Sequence, residues 1–332
     1  MTTQAFQPGS ERLPLQSGRL PGAGEPHRFG TFGGVFTPTI LTILGVIMFL
    51  RADFVVGHAG ILQALLILLL AKAITFLSTL SISAVSTNTE VRGGGAYFLI
   101  SRSLGPEFGG AIGLTLYLAQ ALSVPFYVLG FVEALVATFP GLMEHARLLC
   151  LATAVILFIV AYVGANWAIR FQYVVLVVLI CSILSFLAGA IVHFDTATFT
   201  ANLSPAPVTT TPSIGFFALF AIYFPAVTGI MAGINMSGDL KEPARSIPKG
   251  TLAAVGLGFL VYLAQMVLCG GAIDRADLIE RPYRSLVDIG LFGGRFVITA
   301  GVFAATISSA MGSLVGAPRI LQALARDDIF RT

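Results

Sequence analysis

Polar residues punctuate the chain at wide intervals, and between them lie apolar runs of the length an α-helix needs to cross a hydrocarbon core, about 20 residues for roughly 30 Å. The pattern predicts eight membrane-spanning helices, near residues 33–57, 59–84, 106–138, 147–165, 169–193, 213–236, 250–272 and 289–317. The ten-residue alternating segments of an outer-membrane barrel are not what the chain spells. The expected fold class is therefore an all-α integral membrane bundle.

Two of these runs are interrupted. The first, 33-GGVFTPTILTILGVIMFLR-51, carries Pro38, a central Gly45 and the polar Thr37, Thr39 and Thr42. The sixth, 224-FPAVTGIMAGINMSGDL-240, carries Pro225, Thr228, Gly229 and Gly233. Non-helical backbone at membrane depth persists only where protein or a wet cavity satisfies it, and paired interruptions in corresponding spans point to a transporter's binding site. Unwound carbonyls suit cations, and half-helix N-termini suit anions. For 229-GIMAG-233 alone, close helix packing remains an alternative reading.

Composition strengthens the membrane assignment: 56% of residues are hydrophobic, 11% are charged and the mean hydropathy is +0.90. Lys and Arg are unevenly shared between the two sides. With the N-terminus inside, the inner set is Arg12, Arg19, Arg28, Arg92, Arg102, Arg170, Lys241, Arg245, Lys249, Arg319, Arg326 and Arg331, and the outer set is Arg51, Arg147, Arg275, Arg281, Arg284 and Arg295. Twice as many inside as outside predicts cytoplasmic N- and C-termini in an inner or plasma membrane. Residues 1–30 are rich in Pro, Gly and polar residues without an apolar core segment, so they are expected to form a disordered cytoplasmic tail rather than a cleaved signal.

Catalytic chemistry finds no foothold. Cys150, Cys181 and Cys269 are far apart, and His27, His58, His145 and His193 form no ligand motif, so no disulfide framework, transition metal, cofactor or enzyme is expected. Nothing indicates nucleic acid. The partners implied are the lipid bilayer and small inorganic ions.

The stretch 86-STNTEVRGGGAYFLISRSLGPEFGGAIGL-114, with 45-GVIMFLR-51, 223-YFPAVTGIMAGINMSGDL-240, 247-IPKGTL-252 and 307-ISSAMGSLVGAPRILQAL-324, closely resembles the cation-chloride cotransporter family, within the amino acid, polyamine and organocation superfamily. The resemblance spans roughly residues 30–330. It implies a leucine-transporter-type inverted-repeat bundle, with a first repeat near 31–193, a partial second repeat near 213–318 and a cytoplasmic segment 319–332. It also implies symport of chloride with potassium, sodium or both.

Carried over residue by residue, the resemblance assigns potassium to Thr42, Ile43, Tyr127, Pro225 and Thr228. Thr42 stands where the family usually has Asn, through a largely main-chain contact. One chloride is assigned to the amides of Gly45, Val46 and Ile47, the other to those of Gly229, Ile230 and Met231. Sodium is assigned to Leu41, Leu44 and Ala305 through carbonyls and to Ser308 and Ser309 through hydroxyls. Members that do not move sodium lack the serine pair, and hard cations prefer oxygen ligands.

Arg51 and Glu133 each stand six residues beyond a proposed site residue, Gly45 and Tyr127, or about 9 Å further out at 1.5 Å per residue. They are expected to pair as an extracellular gate; separate snorkelling to the interface is the alternative. Lys72 is about 12 residues from either end of its helix, too deep to snorkel, so it faces the protein interior or a wet cavity. The family does not usually have a lysine there, and its role is open. Residues 90–105 read as a glycine hinge followed by a short amphipathic helix, and 237–250 as a solvated loop.

A full member of the resembled family continues beyond the eighth span, with a tenth-helix tyrosine at the second chloride. The chain is accordingly expected to be a fragment, or to be completed by another polypeptide or a second copy. A permease for an amino acid or other organic solute, using the same interrupted helices, and a non-transporting membrane subunit remain as alternatives.

Overall fold

A computed structural model describes residues 28–88, 94–163, 165–205 and 214–329. The expected tail lies almost wholly outside these residues, as does the start of the glycine segment at 90–93. The described chain is helical throughout, with one isolated bridge between Phe29 and Leu240. In order it forms a π-helical turn at Phe32–Phe36, α1 (Thr37–Ile43), α2 (Val46–Leu50), α3 (Ala52–Asn88), α4 (Gly95–Leu104), α5 (Pro106–Thr138) and α6 (Ala146–Val163). It continues through α7 (Ala165–Val192), α8 (Thr196–Asn202), α9 (Phe216–Tyr223), a 3-10 turn at Phe224–Val227, α10 (Met231–Ile234), α11 (Pro243–Ala272), α12 (Arg275–Glu280), α13 (Pro282–Ile289) and α14 (Gly294–Arg326).

Eight stretches among the described residues are long and apolar enough to cross a membrane, from Phe32–Leu50 to Gly294–Arg326. The α3 run contains Gly60 at φ 71°, ψ 162°, so it is two helices meeting at a corner. That corner falls beside the predicted boundary between the first two spans. Only glycine suits it, because φ is positive and a Cβ would run into the Ser204 carbonyl. Two boundaries move most: the residues predicted as a solvated loop up to 250 already belong to α11 from Pro243, because proline is well placed in the first turn of a helix, and α14 runs on to Arg326, past the predicted end at 317.

Burial follows the logic of a bilayer, in which apolar side chains face outward as readily as inward. Leu62, Leu66, Leu69, Ile74 and Leu77 expose one face of α3, while Ile61, Leu68, Lys72, Thr75 and Thr79 are buried on the other. The long helices pair selectively: α3 packs along α11, α5 along α14, and α1 against α10. Each of these joins a span to the one five places later, and α14 also packs along α7.

Candidate functional site

Both predicted interruptions exist. In the first span helical geometry fails at Leu44 (φ −88°, ψ 42°) and Gly45 (φ −89°, ψ −147°), between α1 and α2. Pro38 causes no break: the π-helical turn Phe32–Phe36 runs directly into α1 with helical angles at Phe36 and Thr37, and the proline sits just past that junction. In the sixth span, Pro225 tightens the 3-10 turn, Thr228 is extended (φ −77°, ψ 172°) and Gly229 takes φ 110° before α10.

The two breaks pack against each other. A Cβ on Gly229 would lie 2.7 Å from Thr42 Cγ2, so glycine is required for conformation and for contact alike. Between the breaks is a cavity of about 10 Å³, lined by Thr42, Ile43, Gly45, Val46, Ile47, Phe126, Tyr127, Pro225 and Ala226. Its volume is on the order of one water-sized probe. Four of the five residues expected at potassium thus meet the three expected at the first chloride. The fifth, Thr228, is outside that lining and donates its hydroxyl to the Pro225 carbonyl at 2.7 Å. Thr42, which does line the cavity, likewise donates its hydroxyl to Pro38 O at 2.8 Å.

The first amides of a helix have no intrahelical acceptor. Among the described residues no turn or loop carbonyl takes the amides of Gly45, Val46 and Ile47, nor those of Gly229, Ile230 and Met231. The residues expected at sodium, Leu41, Leu44, Ala305, Ser308 and Ser309, are all buried where α14 meets the first break. Ser309 Oγ has no hydrogen-bond partner, and a Cβ on Gly45 would stand 3.5 Å from it and 3.7 Å from the Leu41 carbonyl. That is an unsatisfied oxygen beside a helix break.

Arg51 and Glu133 meet in a two-pronged ion pair, Nη1 to Oε1 and Nη2 to Oε2, each at 2.7 Å. At the other end of α5, Gly113 lies against Tyr97 and Leu324. There Arg102 pairs with Asp327 at 3.0 Å, Tyr97 donates to Asp327 at 2.8 Å, and Arg319 pairs with Asp239 at 3.0 Å. Burial first, then the bond to Asp327, pushes the Tyr97 hydroxyl up to about 12, so it stays a donor at neutral pH.

Several contributors escaped the sequence reading. Tyr262 donates to the Ile43 carbonyl at 2.9 Å, Thr75 to the Val227 carbonyl at 3.1 Å, and Gln265 to both Met48 O at 2.8 Å and Asp53 at 3.1 Å. Each ties α3 or α11 to a broken span. Their only signal was a polar side chain inside an apolar run. Asn235, 8% exposed and with its amide unpartnered, lies with Arg319 between a largely apolar cavity of about 360 Å³ and one of about 450 Å³ beside Tyr97 and Asp327.

The amino acid permease profile matches residues 34–331. The chain belongs to the amino acid permease family. That family is one of transporters rather than enzymes, and the chain is an integral, multi-pass membrane protein. It is similar to solute carrier family 12 member 9 of Danio rerio, 39% identical over 92% of this chain and 38% of that protein. It is also similar to member 1 of Mus musculus, 36% identical over 92% and 32%, and to member 2 of Homo sapiens, 36% identical over 98% and 31%. Solute carrier family 12 is the cation-chloride cotransporter group that the motifs resemble, so the expected kinship holds. The chain spans about a third of the length of these relatives.

Proposed function

We propose that the chain forms the ion-binding core of a secondary transporter that symports chloride with potassium, sodium or both. The observation carrying this reading is the abutment of the two helix breaks around a single-ion-sized cavity whose lining includes Thr42, Ile43, Tyr127 and Pro225 together with Gly45, Val46 and Ile47. Carbonyls and a phenol oxygen suit a cation, and free amides beside them suit chloride. Potassium takes Thr42, Ile43, Tyr127, Pro225 and Thr228, the second chloride takes the Gly229–Met231 amides, and sodium takes Leu41, Leu44, Ala305, Ser308 and Ser309. The pairing of each span with the one five places later supports the inverted repeat, with residues 31–193 and 213–318 as its two parts. The Arg51–Glu133 pair closes the outer end, and both termini lie in the cytoplasm.

Proteoliposomes carrying the chain should take up isotopic chloride and rubidium together, with sodium raising both. Loss of the sodium effect in a Ser308→Ala, Ser309→Ala variant supports the sodium site, and an unchanged effect removes it. Chloride uptake indifferent to both cations overturns the symport. A second reading, an organic-solute permease, is favoured by the 360 Å³ cavity, which is far larger than an inorganic ion and falls in the ligand-pocket range of about 300–1,000 Å³. Competition of rubidium uptake by amino acids would favour that reading.

A further inference from the structure

Among the described residues, Lys72 is the one buried basic side chain that neither the proposed ion sites nor either end of the bundle uses. It is 5% exposed, in the middle of α3, and its ammonium has no hydrogen-bond acceptor. Nζ stands 5.6 Å from the centre of the Tyr262 ring, whose hydroxyl is already donated to Ile43 O. Tyr223, edge-on to Tyr262 with ring centres 5.7 Å apart, is fully buried with an unpartnered hydroxyl. Gly258 admits the ammonium: a Cβ there would lie 3.4 Å from Nζ and 2.7 Å from Ile43 Cγ2. One turn along α3, Thr75 bonds the Val227 carbonyl, so this part of the helix touches both broken spans.

A cation taken out of water must be paired, and a ring face returns only part of its lost hydration. An ammonium standing in for a transported cation would be bonded to the carbonyls of a break, and this one is bonded to none. We propose that Lys72 holds a small monovalent anion behind the first helix break, at a site separate from the two amide sites, with chloride as the natural occupant. The anion's charge also explains how a fixed positive group is tolerated inside the bundle, because the anion neutralises it. The binding claim does not depend on symport.

The test uses the whole 332-residue chain purified in detergent, with thermal unfolding followed as chloride replaces gluconate at constant ionic strength. Chloride should raise the Tm of wild type and of Lys72→Arg. Lys72→Met should unfold at higher temperature than wild type in gluconate, because an unpaired charge is gone, and should lose the part of the chloride-induced rise that Lys72→Arg keeps. A chloride response in Lys72→Met equal to that of wild type overturns the proposal. Should that variant not fold, anomalous scattering from wild-type crystals soaked in bromide decides the matter: a peak beside Nζ supports the site, and none there, with bromide present elsewhere in the bundle, overturns it. Neither readout involves uptake, so a failure of coupled transport and a failure of this site are distinguishable.

Discussion

Gly229 combines two constraints that usually fall on different residues. Its φ of 110° is open to glycine and strained for anything with a side chain, and the direction in which a Cβ would project is filled by Thr42 2.7 Å away. Strain of that kind costs about 1–3 kcal/mol even where space is free. Here space is not free, and relief would have to push the two broken spans apart at the cavity. Gly229→Ala is therefore expected to lower the Tm and to abolish rubidium uptake rather than merely reduce its affinity. Gly256→Ala, on an α11 face where an added methyl meets nothing within 4 Å, serves as the control and should leave both unchanged. Ser309 shows the complementary case: substitution there removes an oxygen that no neighbour uses, so function should suffer and folding should not.

At the level of elements, the Arg51–Glu133 pair joins the end of the first span to α5. The geometry is two-pronged, yet the side chains are 37% and 47% exposed, which limits the net contribution to about 1 kcal/mol or less. A weak pair suits a closure that has to open in every cycle. A strong buried one would hold the bundle in a single state. Arg51→Glu and Glu133→Arg should each cut uptake by roughly fivefold, the effect of about 1 kcal/mol on a step that needs the closed state. The double swap should recover most of that rate in side-by-side rubidium uptake; no recovery would remove the gate. The elements themselves were legible because hydropathy, glycine and proline act locally: eight spans and two breaks can be read from windows of twenty residues. What the breaks touch was not. Thr75 meets Val227 across 152 residues and Tyr262 meets Ile43 across 219, and nothing within either segment records the other. Pro38 does not break its span as its residue type suggests, because a π-helical turn just before it carries the helix through the junction.

For the whole molecule, the two ends of the bundle carry different chemistry, and the proposed orientation rests on that difference. Arg102, Arg319 and Arg326 gather beside Asp239 and Asp327 at one end, and Arg51 with Glu133 stands at the other. On the orientation we propose, the excess of Lys and Arg in connecting segments puts the first end in the cytoplasm. Helix α11 makes this testable, because its 30 residues cover about 45 Å and separate exposed Arg245 from exposed Arg281. In a chain whose Cys150, Cys181 and Cys269 are replaced, Arg281→Cys should react with a membrane-impermeant maleimide on intact cells. Arg245→Cys should react only after permeabilisation. The opposite result would invert the bundle, make the Arg51–Glu133 pair an inner closure and turn the 450 Å³ cavity toward the outside. The ion sites proposed between the breaks would keep their residues, but the side from which each is filled would exchange.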